Sequence, residues 1–130
     1  MGMTAINTGF ALAALVALVT FAVHTFVGGR FAARPLLADV GLPVPSRWLN
    51  YLTWHMVTAL LPIMAGGFAW AAIQPDAWPA ALILMVVSVA FSGVTVFVTL
   101  KAGIRPWRFP SSYLFLIILA CGLFGLANPN

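Results

Sequence analysis

Four long apolar runs, separated by short polar segments, constrain this chain more than any other feature of its sequence. Hydrophobic residues fill 63% of its 130 positions and charged residues only 6%, whereas soluble domains are about a quarter charged. A helix of about 20 apolar residues crosses the ~30 Å hydrocarbon core of a bilayer. We therefore predict a single all-α domain over residues 1–130, an integral membrane four-helix bundle. The predicted helices cover residues of about 4–27, 48–73, 80–100 and 110–126.

The basic residues lie in only two of the segments between these helices, residues 28–47 and 101–109. They are Arg30, Arg34, Arg47, Lys101, Arg105 and Arg108. In a four-helix chain these two loops lie on the same side of the membrane, and short basic loops stay in the cytoplasm. We predict that both termini lie on the non-cytoplasmic side. Membrane topology also accounts for the net charge of +4, so we expect no nucleic-acid partner.

The segment after the first predicted helix contains several residues that disfavour a helix. Gly28 and Gly29 form a natural helix stop, and Pro35, Pro43 and Pro45 argue against a continuous helix beyond them. Apolar side chains lie between these prolines. We expect a non-helical loop that lies in the membrane interface.

The two histidines of the chain, His24 and His55, lie near the cytoplasmic ends of the first two predicted helices. Thr20 and Thr58 share their helical faces, which carry the small or weakly polar residues that membrane helices use for contact. We expect both imidazoles to point inward and to approach each other. An ionisable residue inside a membrane indicates a functional site by default, although near the interface a neutral histidine also serves as an ordinary hydrogen-bonding group.

A stripe of hydroxyl residues on the third predicted helix completes the candidate site. It consists of Ser88, Ser92, Thr95 and Thr99. These hydroxyls either face the histidines or bond the carbonyl four residues back on their own helix. The predicted ligand-binding residues are His24, His55, Thr20, Thr58, Ser92 and Thr95.

The two histidines leave more than one function open. The first hypothesis is a non-enzymatic accessory or scaffold protein, or a small-ligand or lipid binder that uses the His24/His55 region. The alternative is a b-type haem redox protein, since histidines on facing helices can ligate haem axially. Otherwise no cofactor, metal or catalytic residue is predicted. A small transporter is a third hypothesis, disfavoured because the predicted helices contain no Asp or Glu.

The basic residues suggest partners at the cytoplasmic face. Together with Trp107 they predict binding to lipid headgroups, at about 1 kcal/mol per residue, or docking of a partner protein; alternatively they only fix orientation. Gly122 and Gly125 in the last helix permit a homodimer, because small residues let membrane helices approach closely. The expected partners are membrane lipids and either a larger membrane complex or a second copy.

Three short motifs carry a resemblance to known proteins. Arg34-Pro-Leu-Leu37 follows the first helix, Trp54-His55 with Thr58 opens the second, and a basic loop containing Trp107 precedes the last. In these features the chain resembles an uncharacterised family of small four-helix bacterial inner-membrane proteins. The resemblance implies a bacterial inner-membrane location and a four-helix fold, and no activity, cofactor or catalytic residue.

Overall fold

The computed structural model of the protein describes residues 6–129, which form four helices and contain no strand. The helices are α1 (Thr8–Ala38), α2 (Val44–Ile73), α3 (Trp78–Lys101) and α4 (Ser111–Ala127). The predicted all-α fold is confirmed. The predicted start of the first helix, near residue 4, lies outside the described residues.

Three of these helices are long and apolar enough to cross a membrane. Their most apolar windows reach mean hydropathies of 2.3 in Thr8–Ala38, 1.8 in Val44–Ile73 and 2.5 in Pro75–Lys101. The fourth, α4, is apolar but has only 17 residues, which is near the lower limit for a membrane-spanning helix.

The first helix does not end at its two glycines, so that prediction was wrong. It continues through a π-helical stretch, Val23–Ala33, into a final α-helical turn, Arg34–Ala38. Pro35 lies in the first positions of that turn, where a missing N–H is tolerated. The predicted loop over residues 28–47 therefore shrinks to the short segment between Ala38 and Val44.

The helices form a bundle in which each packs against its neighbours in the chain and α1 also packs against α4. The contact between α2 and α3 is the least extensive of the four. Phe68, Leu61 and Met64 of α2 and Ile118 of α4 are completely buried at the centre. The buried core extends from there to the end of the bundle at which the first helix begins, where Phe10, Ala72 and Ala77 are also buried.

Asn7 joins three helices at the end of the bundle opposite the basic residues. Its backbone N–H donates to Ala72 O at 2.9 Å, and its side-chain amide donates to Gly125 O at 2.9 Å and to Asn128 O at 3.2 Å. Its Oδ1 accepts from Phe10 N and so caps α1. The start of α1 and the end of α4 consequently lie side by side.

Gly122 and Gly125 are buried between helices, which corrects the expectation that they form an exposed face for a second copy. A Cβ atom added to Gly122 would lie 2.6 Å from Met85 Sδ, and one added to Gly125 would lie 2.6 Å from Phe10 Cδ1. Both glycines therefore serve contacts inside the bundle. A homodimer or larger complex stays a prediction, without this face to support it.

Candidate functional site

A cleft of ≈ 500 Å³ opens between the basic ends of α1 and α2. The residues of α1 that line it are Thr25, Phe26, Gly29, Arg30, Ala33, Arg34 and Leu37, and those of α2 are Tyr51, Trp54, His55 and Thr58. Polar and cationic groups therefore share the cleft with an apolar wall. This mixture is the usual composition of a small-ligand site.

The π-helical stretch of α1 builds one wall of the cleft. The wall contains a series of residues at every fourth position, Thr25, Gly29, Ala33 and Leu37. Residues four apart on a helix are neighbours on one face, turned by roughly 40° per step in a regular α-helix. The hydrogen bonds of a π-helix reach one residue further and widen each turn, and the stretch Val23–Ala33 carries most of this wall. Such π-helical insertions are frequent at functional sites.

Trp54 packs against α1 where the sequence predicts a helix stop. A Cβ atom added to Gly28 would lie 2.5 Å from Trp54 Cη2. The indole also stacks on the imidazole of His24, with ring centroids 3.9 Å apart and planes inclined by 17°. Gly28 is therefore needed for close approach of the indole rather than for ending the helix.

The two histidines occupy different environments. His24 Nε2 lies 3.2 Å from the carbonyl oxygen of Trp54; since a carbonyl only accepts, this nitrogen carries the proton and donates. His24 does not line the cleft. His55 is exposed, lines the cleft, and meets the edge of the Tyr51 ring at 4.5 Å between centroids.

This arrangement does not favour haem ligated by both histidines. Axial ligation requires an unprotonated nitrogen on each imidazole, with both rings facing a common pocket. Donation by Nε2 of His24 leaves its Nδ1 unprotonated, but the ring is stacked on Trp54 and does not line the cleft that His55 lines. Within residues 6–129 there is also no group of three or more His, Cys, Asp or Glu side chains that could hold a metal ion.

Most of the predicted site hydroxyls bond elsewhere. Thr20 donates to Val16 O at 2.7 Å and Thr95 to Phe91 O at 2.8 Å, each four residues back on its own helix. Ser92 donates across to Ser112 O on α4 at 2.7 Å. Of the six predicted ligand-binding residues, the structure brings only His55 and Thr58 to the cleft, and Thr58 donates to the carbonyl of Trp54.

Thr25, which the sequence analysis did not single out, has the most unusual hydroxyl beside the cleft. Its Oγ1 is buried and has no hydrogen-bond partner among the described residues, a property it shares with Ser112 Oγ alone. Thr20, Thr58 and Thr95 each bond the carbonyl four residues back. Thr25 lies in the π-helical stretch, where that carbonyl is displaced. Its hydroxyl is therefore left for another partner.

The charge in the cleft is entirely basic. Arg30 and Arg34 line it from α1, and none of its described lining residues is acidic. Asp39, the nearest carboxylate along the chain, bonds the backbone N–H of Gly41 at 2.8 Å and so closes its own turn. The backbone carbonyl of Asp39 accepts from Arg47 at 3.1 Å, which holds Arg47 in the loop. The two cleft arginines are thus available to an anion.

The remaining predicted docking residues form a second basic surface, away from the cleft, around the α3–α4 connection. Arg105 and Arg108 are exposed there, beside the 3-10 turn Pro106–Arg108. The Arg105 guanidinium lies 5.6 Å from the centre of the Trp107 ring, and Lys101 Nζ lies 5.9 Å from that of Phe97. None of these residues lines the cleft between α1 and α2, and we use them below as a charge-matched control.

A smaller cavity of ≈ 210 Å³ lies at the opposite end, beside Asn7, Phe10 and Trp78. Its described lining contains no charged residue, and the side-chain amide and carbonyl of Asn7 are already bonded.

The residues missed from the sequence were Thr25, Gly29, Trp54 and Tyr51. A usable signal was present in the four-residue spacing of Thr25, Gly29 and Ala33 beside Arg30 and Arg34. That spacing puts these residues on neighbouring positions of one helical face, and the paired glycines obscured it by predicting a helix end.

Comparison of the chain with protein-family models, with curated proteins and with solved structures gives no match in any of the three. The resemblance to small bacterial inner-membrane proteins therefore rests on its short motifs, and function has to be argued from the cleft.

Proposed function

We propose that this chain is a non-enzymatic membrane protein that binds an anionic amphiphile by its headgroup in the cleft between α1 and α2. The observation that carries the proposal is the pairing of Arg30 and Arg34 in a cleft whose described lining contains no carboxylate. Two unpaired guanidinium groups in one cleft favour an anion. Of the hypotheses that the sequence leaves open, we therefore keep lipid binding and assign it to the cleft between α1 and α2.

The height of the cleft along the bundle supports a headgroup ligand. Asn7 N–H bonds Ala72 O, which sets α1 and α2 level at the opposite end. At ~1.5 Å per residue, Thr25 lies roughly 27 Å along α1 from Asn7. The hydrocarbon core is ~30 Å thick, so the cleft opens where acyl chains give way to headgroups. Trp48 and Tyr51 lie at the same level of α2, as is typical of residues at that boundary.

The apolar rim of the cleft favours an amphiphile as the ligand rather than a water-soluble anion. Phe26 lines the cleft and is 72% exposed, and Phe31, one turn further along α1, is 73% exposed. Exposed aromatic rings beside a cationic cleft suit a ligand with both a charged head and apolar chains. The acyl chains would lie along these rings while the headgroup enters the cleft.

We propose further that the protein lies in a bacterial inner membrane with both termini outside the cytoplasm. Support comes from the confinement of all six Lys and Arg residues to one end of the bundle and from the positive-inside rule. The cleft then faces the cytoplasmic leaflet, where anionic lipids give a negative surface potential.

The test is lipid retention by the full-length protein. The protein is extracted from its membrane with a surrounding lipid disc, and bound lipids are quantified by mass spectrometry. We expect an anionic lipid to be enriched over the bulk membrane, and the enrichment to disappear in Arg30→Gln/Arg34→Gln.

The control is Arg105→Gln/Arg108→Gln, which removes the same charge from the second basic surface. It should keep the enrichment. If both double variants lose the lipid enrichment equally, the enrichment depends on the net charge of the protein and not on the cleft. Unchanged enrichment in Arg30→Gln/Arg34→Gln would overturn the proposed function.

A further inference from the structure

We infer that the headgroup bound in the cleft is a phosphomonoester, whose oxygens pair with Arg30 and Arg34 and accept a hydrogen bond from the Thr25 hydroxyl. This inference rests on the proposed function, because it names the ligand class of the same cleft. It depends on two independent observations, the charge of the cleft and the unpartnered hydroxyl beside it.

The charge of the cleft matches a dianion better than a monoanion. Arg30 and Arg34 lie four residues apart on α1 and line the same cleft. The described lining of this cleft contains no acidic residue. A phosphomonoester carries about −1.5 to −2 charges at neutral pH, whereas a carboxylate or a phosphodiester carries one. Each guanidinium can pair with two phosphate oxygens, so the charge of a monoester matches both arginines, whereas a single carboxylate or phosphodiester matches one.

The Thr25 hydroxyl supplies the second observation. Its Oγ1 is buried without a partner among residues 6–129, while Thr25 itself lines the cleft. A buried polar group without a hydrogen bond is unfavourable, and hydroxyl oxygens of this kind call for a ligand or water. In this inference an oxygen of a phosphate held between the arginines is the acceptor for this donor.

The second helix offers further donors to the same group. His55 and Tyr51 line the cleft from α2 and contact each other edge to face. An imidazole N–H and a phenolic O–H both donate to phosphate oxygens. The ligand would then be held by both helices of the hairpin.

The first experiment compares lipids of different headgroup. Full-length protein is placed in discs of phosphatidylcholine that contain a small fraction of phosphatidic acid, phosphatidylglycerol or a fatty acid, and bound lipid is measured by native mass spectrometry. We expect phosphatidic acid, the phosphomonoester, to bind about tenfold more tightly than phosphatidylglycerol, the difference that one extra charge-assisted hydrogen bond provides.

The second experiment removes the hydroxyl alone. Thr25→Val keeps the shape of the side chain and should lower the preference for phosphatidic acid several-fold, with the Tm of the lipid-free protein unchanged or raised. Thr25→Ser should keep the preference. Thr20→Val is the matched control, since Thr20 bonds Val16 O on the same helix and lies outside the cleft; it should leave the preference intact.

The outcomes separate this inference from the proposed function. Equal binding of phosphatidic acid and phosphatidylglycerol, both lost in Arg30→Gln/Arg34→Gln, would overturn the phosphomonoester and keep the anionic amphiphile. An unchanged preference in Thr25→Val would overturn the role of the hydroxyl.

Competition with soluble compounds distinguishes the source of the phosphate. Glycerol phosphate and inorganic phosphate should displace phosphatidic acid only weakly if the ligand is a lipid. If either compound binds as tightly as phosphatidic acid, the ligand is not an amphiphile. That result would still support recognition of a phosphate group by the cleft.

Discussion

Individual residues of the α1–α2 hairpin divide between structural and binding roles in a way that their types do not reveal. His24 and His55 are the two histidines of the chain, yet the first donates to a backbone carbonyl and stacks on Trp54, whereas the second is exposed in the cleft. A buried hydrogen bond contributes to stability, and an exposed side chain in a cleft is free to contact a ligand. We therefore expect the two histidines to respond differently to substitution.

His24→Ala should lower the Tm of the purified protein, and His55→Ala should leave it nearly unchanged. The first variant loses a hydrogen bond worth about 0.5–1.5 kcal/mol and a ring stack worth about 0.5–1.5 kcal/mol. Thermal unfolding in detergent measures the difference, and an absorption spectrum of the same samples tests for haem. Equal destabilisation by both variants, or a Soret band that either variant removes, would indicate that the histidines share a ligand.

At the scale of the helices, the decisive feature is that α1 continues through Gly28 and Gly29 as a π-helix. The Trp54 indole occupies the space that a side chain at position 28 would fill, whereas a Cβ atom added to Gly29 meets nothing within 4 Å. The two neighbouring glycines therefore have different roles. Gly28 lets α2 approach, and Gly29 leaves space in the cleft.

Gly28→Ala should destabilise the hairpin by about 1–3 kcal/mol, the usual cost of overpacking a filled contact. Gly29→Ala is the matched control, and it should be neutral or stabilising by up to about 1 kcal/mol because alanine favours a helix over glycine. Thermal unfolding and the tryptophan emission spectrum would report both effects. If the two variants behave alike, the indole does not rest on Gly28.

At the scale of the whole molecule, the start of α1 lies beside the end of α4, and the basic residues lie at the far end of the bundle. The side chain of Asn7 bonds the backbone of Gly125 and of Asn128, so the start of α1 and the end of α4 must lie on one side of any membrane that the bundle spans. In the proposed orientation, which follows the positive-inside rule, that side is the exterior.

Reporter fusions test this orientation. Alkaline phosphatase, which is active only outside the cytoplasm, should be active when fused after Asn130 and inactive when fused at Gly103, in the basic α3–α4 connection. A fluorescent protein that folds only in the cytoplasm should give the reverse pattern. Phosphatase activity at Gly103 would show that the bundle is inverted and that the cleft faces the other leaflet.

Properties set by neighbouring residues were accessible from the sequence. The apolar runs predicted the helices because their length and hydropathy are local quantities, and α2, α3 and α4 lie close to their predicted positions. Hydroxyl bonding four residues back, offered as one alternative for the third helix, is found at Ser88, Thr95 and Thr99. These bonds also lie within one helix.

The remaining features depend on contacts between distant residues, and only the tertiary structure decided them. Gly28 and Gly29 are a helix stop by local rules, but Trp54 packs on Gly28 and α1 continues. The same indole stacks on His24, whereas His55 lines the cleft with Arg30 and Arg34. The sequence by itself determined that the chain forms helices of membrane-spanning length and that its basic residues lie at one end of the bundle. Packing of α2 against α1 determined the site, because burial and hydrogen-bond partners exist only once the helices are side by side.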